Sequence, residues 1–463
     1  MPIVRGVLSA LMAALVTACA VGPNYKRPPF QATAAFKEEN GWKPTEPADA
    51  LDRGPWWHIY NDEVLNGLEE QLDVSNENIK AAAASYEEAR ALVSQARAGL
   101  WPSLSLGASR ERTQTADLPA RTVNTLDLSG SWDIDIWGQV RRSLESNRDT
   151  AESSAALLAG ARLSAQAALA SDYFQLRAQD QLQIILDDIV AAEEQSLKIT
   201  ENRYRVGVAA KADVVTAQTQ LLSSQAQQAA APLQRALLEH AIAVLVGKQP
   251  ADFSLPSTAM RGDVPTVPAG LPSALLERRP DVAAAERKVA AANAQIGVAV
   301  SAWFPSLTLT GADDYSGTTI SHLIRTANRV WAFGPTAALS VFDAGLRRAQ
   351  LAQARATYEV TVDDYRQTVL TGIQQVEDEL VTLRVLERQA VIEDATVKAA
   401  KEAETLTLNQ YKAGTVPYSS VITAQTTRLS SEETALSVLS GRLQASVAMI
   451  EALGGGWNAA SLK

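Results

Sequence analysis

Leu126-Asp127-Leu128-Ser129-Gly130-Ser131-Trp132-Asp133-Ile134-Asp135-Ile136 is the stretch from which the fold can be read. Apolar or small residues at 126, 128, 130, 132, 134 and 136 alternate with Asp or Ser at every position between them. A β-strand turns successive side chains to opposite faces, so this segment is a strand with one apolar face and one wet face. Segment 104–113 alternates more weakly. In the second half of the chain Leu307, Leu309 and Gly311 begin another strand, and Phe333, Ala337, Leu339 and Val341 mark a fourth, with Pro335 between them. Each has about the ~10 residues that a strand needs to cross a bilayer. A soluble sandwich alternates in the same way, but four strands in lipid leave unpaired edges that cost several kcal/mol per backbone group. Bilayer barrels begin at about eight strands. Four membrane strands per chain therefore imply that several chains share one barrel.

The rest of the chain repeats around these strands. Trp101-Pro102-Ser103-Leu104-Ser105-Leu106 returns as Phe304-Pro305-Ser306-Leu307-Thr308-Leu309, offset by 203 residues. Gly138 with Arg141 returns as Gly345 with Arg348, Tyr204-x-x-Gly207 as Tyr411-x-x-Gly414, and Ala217-Gln218 as Ala424-Gln425, all offset by 207. A register held over such a length marks two copies of one structural unit. Each copy reads as an Ala-rich helix (75–100 or 280–302), two alternating segments, a very long helix (139–204 or 346–411) and a shorter helix (209–247 or 416–453). Ile185, Ile189, Ala192, Ser196 and Ile199 follow the 4-3-4-3 spacing of a coiled-coil seam. The same seam shifted by 207 becomes Ile392, Thr396, Ala399, Ala403 and Leu406. At 1.5 Å per residue such a helix runs for roughly 100 Å and must be covered along its length by partners. The two shorter helices, 209–247 and 280–302, together match one long helix, and 416–453 with 75–100 match the other.

The N-terminus reads as an address and an anchor. Arg5 precedes an apolar run, Val7 to Val16, too short to span a bilayer, and the segment ends Val16-Thr17-Ala18-Cys19. This resembles the bacterial lipobox, which implies that Cys19 is diacylated and becomes the first residue of the mature chain, and that Ala20 favours the outer membrane. Residues 22–55 and 248–272 are rich in proline and read as extended segments.

Composition closes other routes. The chain has 463 residues and a net charge of −10, which disfavours a nucleic-acid binder. Its three histidines, His58, His240 and His322, and its single cysteine lie far apart, so no metal cluster, disulfide framework or Cys–His pair is visible. No cofactor is expected. Acidic pairs such as Asp187-Asp188 and Glu193-Glu194 read as the solvated face of a helix rather than as catalytic groups.

Further residues carry a family resemblance: Cys19-Ala20-Val21-Gly22-Pro23-Asn24-Tyr25-Lys26-Arg27-Pro28, Arg279-Pro280-Asp281-Val282, the two Pro-Ser-Leu segments, Phe342-Asp343-Ala344-Gly345, and Ala452-Leu453-Gly454-Gly455-Gly456-Trp457. Together they resemble the TolC-like outer-membrane factors, in the lipoprotein branch called NodT-type. The resemblance implies a mixed α and β fold, with four transmembrane strands per chain in a trimeric barrel and long helices in a periplasmic tunnel. It divides the chain into a signal peptide (1–18), a lipidated strap and start of an equatorial region (19–74), a first repeat (75–248), a linker (249–279), a second repeat (280–456) and a tail (457–463). It also implies a homotrimer held to outer-membrane lipid by acyl chains, a periplasmic adaptor (membrane fusion) protein and an inner-membrane pump of the RND class. Such a duct performs no chemistry of its own.

The turns Tyr204–Asp213 and Tyr411–Ser420 join long to shorter helices and so fall at the periplasmic end. Tyr204, Gly207, Tyr411 and Gly414 are the expected adaptor-docking turns, the glycines suited to left-handed helix caps. Many relatives close the aperture with charges near the second turn. Here Val416, Ser420, Thr423 and Thr426 are uncharged, so the expected closure is a packed one through Pro417 and Tyr418, with Asp213 the nearest charge. A duct for protein secretion of type I would read identically.

Overall fold

The computed structural model describes residues 20–30, 36–38, 55–116, 119–265, 267 and 279–455. The leader 1–18, Cys19 and the tail 457–463 lie outside the described residues. After a short 3-10 turn at Trp56–Tyr60, the elements run α1 (Glu63–Ser75), α2 (Glu77–Ala98), β1 (Ser103–Thr113), β2 (Arg121–Asp133), α3 (Gln139–Arg205) and α4 (Lys211–Leu245). They continue with α5 (Pro280–Ser301), β3 (Ser306–Gly317), β4 (Arg329–Ala338), α6 (Leu346–Ala413) and α7 (Tyr418–Ala452). The chain divides into two compact units, one of Met1–Phe30, Ala83–Ala156 and Ala283–Thr368, the other of Gln31–Ala82, Leu157–Val282 and Val369–Lys463.

The first unit holds the sheet. Its strands pair antiparallel in the order β1-β2-β3-β4. Leu106 faces Leu128, Leu128 faces Asp313, Gly311 faces Phe333 and Leu309 faces Pro335. Pro335, which cannot donate to a ladder, sits on the edge strand β4, where proline is tolerated. Cross-strand partners share a face, so Leu104, Leu106, Leu126, Leu128, Trp132, Leu309, Trp331 and Phe333 fall on one side. The other side carries Ser, Thr, Gly and Asp, and Asp127 stands directly opposite Asp314 there. Like charges in that position repel unless water screens them.

Two strand ends depart from the expectation. β2 begins five residues before Leu126 and stops at Asp133, leaving Ile134 and Ile136 outside it. The cause is a helix start: the Asp135 carboxylate accepts from the Val140 and Arg141 backbone N–H groups at 3.1 and 2.9 Å, which bends the chain into α3. β4 likewise ends before Leu339 and Val341, and Asp343 accepts from the Gly345 and Arg347 N–H groups ahead of α6. Residues 20–25 lie along α3 and α5. Arg142 donates to the Val21 carbonyl (3.2 Å) and Asn24 (2.8 Å), Asn293 donates to the Pro23 carbonyl (3.1 Å), and the Tyr25 hydroxyl donates to Glu286. Gly22 has φ of +93° and a Cβ there would stand 2.5 Å from the Gly297 Cα, so both its conformation and the approach demand glycine.

The second unit holds the main apolar core, around Trp56, Leu65, Leu72, Tyr173, Leu176, Ile242, Leu380 and Met449. Helix α1 was not expected within 19–74, although Leu65, Leu68 and Leu72 have helical spacing. Asp62 caps it, accepting from the Val64 and Leu65 N–H groups at 2.9 and 3.1 Å and from the Tyr173 hydroxyl at 2.7 Å. Buried Asp180 ties the proline-rich stretch down: it pairs with Arg177 and Arg235, and these donate to the Pro256 and Leu255 carbonyls at 2.8 and 2.7 Å.

The two coiled-coil seams, alike in spacing, differ in burial. Ile189 and Ser196 on α3 are buried, whereas Ile392 and Leu406 on α6 are 63% and 54% exposed. Glu193 also departs from the expected solvated face, being 2% exposed. Contacts from α4 and α7 explain both on the α3 side: Gln220 donates to Glu193 at 3.0 Å and Gln425 to Ser196 at 3.1 Å.

Candidate functional site at the two helical turns

The long helices end alike. At the end of α3 the Gly207 N–H donates to the Tyr204 carbonyl (2.9 Å) and the Val208 N–H to the Arg203 carbonyl (2.8 Å). At the end of α6 the Gly414 N–H donates to the Tyr411 carbonyl (2.9 Å) and the Thr415 N–H to the Gln410 carbonyl (3.0 Å). This is the Schellman cap, which needs a left-handed residue. Gly207 and Gly414 supply it, with φ of 79° and 80°. A side chain in that conformation costs roughly 1–2 kcal/mol.

Arg203 joins the two turns. Its guanidinium lies 4.8 Å from the centre of the Tyr411 ring, and Nη1 donates to the Lys412 carbonyl at 2.8 Å. The Tyr411 hydroxyl donates to Thr200 Oγ1 at 3.4 Å, and its ring meets Tyr418 edge-on at 5.2 Å. Ala217 and Val421 complete this buried cluster, with Val416 half-buried against it. Farther along the same helices, buried polar groups take over. The Gln425 side-chain carbonyl and Glu193 Oε2 are buried with no hydrogen-bond partner among the described residues. Burial pushes the Glu193 carboxyl up, against hydrogen bonds from Gln220 and Ser224, and Glu404 adds to the rise. Burial, aided by Glu193, Tyr411 and Asp213, pushes the Tyr418 hydroxyl up to about 12.

The expected site residues are thus brought together at one end of the hairpins, but in different environments. Tyr411 is 3% exposed whereas its repeat equivalent Tyr204 is 46% exposed. Asp213 is half-buried in the first turn of α4, where the positive helix end favours a carboxylate. Pro417 is exposed and extended, just before α7; Ser420 is half-buried, its N–H donating to the Pro417 carbonyl at 3.1 Å. Thr423 is exposed and its hydroxyl donates to the Ser419 carbonyl at 3.0 Å. Tyr418, at 1% exposed, packs one hairpin of the protomer against the other through Tyr411. Arg203 and Thr200 are not marked by the sequence; the position offset by 207 from Arg203 holds Gln410, so the repeat does not single it out, and Ser196 is marked only as a seam residue. Val206 and Val208, 73% and 64% exposed beside Gly207, make an apolar tip that the sequence displayed without marking as exposed.

Among the described residues no group of His, Cys, Asp and Glu is placed to hold a metal ion, and no helix is long and apolar enough to cross a membrane. A two-fold repeat in which each copy supplies a long helical hairpin and two strands of a four-stranded amphipathic sheet defines a TolC-like chain. The chain belongs to the outer membrane efflux protein family, whose model matches residues 68–248 and 271–455. It is 29% identical to the toluene efflux pump outer membrane protein TtgC of Pseudomonas putida, over 97% of this chain and 95% of that one. It is 30% identical to the pyoverdine export outer membrane protein OpmQ of Pseudomonas aeruginosa, over 89% of each. Among solved structures the outer-membrane channel OprN superposes with a TM-score of 0.87 at 28% identity, covering 95% of this chain and 100% of that one. The protein is accordingly an outer-membrane component of efflux.

Proposed function

We propose that three copies of this chain pool their sheets into one closed barrel and act as a passive duct for small molecules. The observation that carries this reading is the sheet itself. One face is apolar and open, with Leu104, Leu106, Trp331 and Phe333 each 70% exposed or more. The other sets Asp127 against Asp314, which requires water. Among the described residues the edges β1 and β4 have no further strand partner. Lipid outside, water inside and edges paired between copies satisfy all three conditions. The exposed α6 seam points the same way, since a second copy would cover it.

Energy and selection then come from elsewhere: a periplasmic adaptor at the Tyr204–Gly207 and Tyr411–Gly414 turns and an inner-membrane RND-type pump. Toluene and pyoverdine are named for the relatives; for this chain the cargo class proposed is small molecules. Cys19 is the proposed lipid anchor. Planar-bilayer recording of the purified protein tests the duct. Stepwise ion conductance is expected, and a sample that inserts as intact trimers yet never conducts would sink the reading.

A further inference from the structure

The apolar face of the sheet changes character at one end. On β1, Arg110 and Arg112 continue the row of Leu104, Leu106 and Ala108, because residues two apart share a face. Both arginines are exposed. Their cross-strand neighbours are Asn124 and Thr122, which offer no charge. Glu111 points to the opposite face, where the Thr113 hydroxyl donates to it at 3.3 Å. On the arginine face the nearest carboxylate across the sheet, Asp313, is held by Arg329 in two bonds of 2.7 and 2.9 Å. Among the described residues, two guanidinium groups therefore stand without a carboxylate partner on the apolar side of a chain whose net charge is −10.

Their height on the sheet identifies what they meet. α2 enters at Ser103 and α3 leaves at Asp133, so the helices attach at one end of the strands and Arg112 lies near the other. Helices in the periplasm put that far end at the outer leaflet. The outward order along β1 is Leu, Leu, Ala, Arg, Arg, and Tyr315 stands on the same face in the row of Ala108, next to the arginines. Leucine rows that also hold Phe333 and Trp331, then a row with Tyr315, then arginines match acyl chains, then an interface, then anionic headgroups. Guanidinium is the group whose planar fork fits phosphate oxygens in pairs.

We propose that Arg110 and Arg112 form a binding site for the phosphate groups of a phosphorylated glycolipid in the outer leaflet. The proposal rests on the barrel reading above. It is tested with the full-length protein in detergent, by native mass spectrometry with bis-phosphorylated lipid A and with the same lipid after enzymatic dephosphorylation. Wild type should bind the phosphorylated form at least about tenfold more tightly, and Arg110→Gln with Arg112→Gln should remove that preference. Arg110→Lys with Arg112→Lys should restore part of it, and Arg121→Gln, on the opposite face, should leave it intact. Equal binding of the two lipids by wild type would overturn the site, as would full preference in the double Gln variant or equal loss in Arg121→Gln. So would a double Gln variant that loses its trimer while each chain keeps the lipid, since the arginines would then be subunit contacts. A wild type found outside membranes and soluble without detergent would instead overturn the barrel reading, a distinct outcome.

Discussion

Glu69 shows how one side chain can tie stability to pH. It is fully buried in α1, and neither carboxylate oxygen has a hydrogen-bond partner among the described residues. Burial, with Asp73 adding to it, pushes the carboxyl up to about 9. In the unfolded chain the same group releases its proton near ~4.3. Between those values the folded chain holds one proton more than the unfolded chain, so stability falls as pH rises through that window and levels off above it. Glu69→Gln has no proton to lose. Urea midpoints should therefore show the variant clearly ahead of wild type at pH 8 and much closer to it at pH 5. A gap that is the same at both values would mean that Glu69 ionises freely. Composition could not have found this residue, because Glu69 and exposed Glu70 are neighbours of the same type.

At the scale of elements, the two hairpins meet through aromatic rings at their turns and through orphaned polar groups farther along. Tyr418 is the most buried of the aromatic rings at the turn. Truncating a buried aromatic to alanine costs about 3–5 kcal/mol. Tyr418→Ala should lower the unfolding midpoint in denaturant accordingly, and Tyr418→Phe, which keeps the ring against Tyr411, should cost about 1 kcal/mol or less. Equal stability of the alanine variant and wild type would show that the ring contributes nothing to holding the hairpins together. Element boundaries were legible wherever a cap or turn residue marked them, as Gly207 and Gly414 did. They slipped where an aspartate, Asp135 or Asp343, had a second use as a helix start, since alternation alone runs through such a residue unchanged.

For the whole molecule, the exposed α6 seam makes a direct prediction. Ile392→Glu together with Leu406→Glu would put charge where another copy is proposed to pack. The variant should lose its trimer in native mass spectrometry while each chain keeps its helical circular dichroism; a trimer of unchanged abundance would place that seam elsewhere than between copies. By itself the sequence determined the strand alternation, the two-fold repeat, the left-handed caps and the family, because each is written in residues near one another or at a constant offset. Only the tertiary structure decided which copy of each repeated feature is covered: Tyr411 but not Tyr204, Gln425 but not Gln218, the α3 seam but not the α6 seam. Repetition copies a local pattern, whereas burial depends on what the rest of the chain places against it.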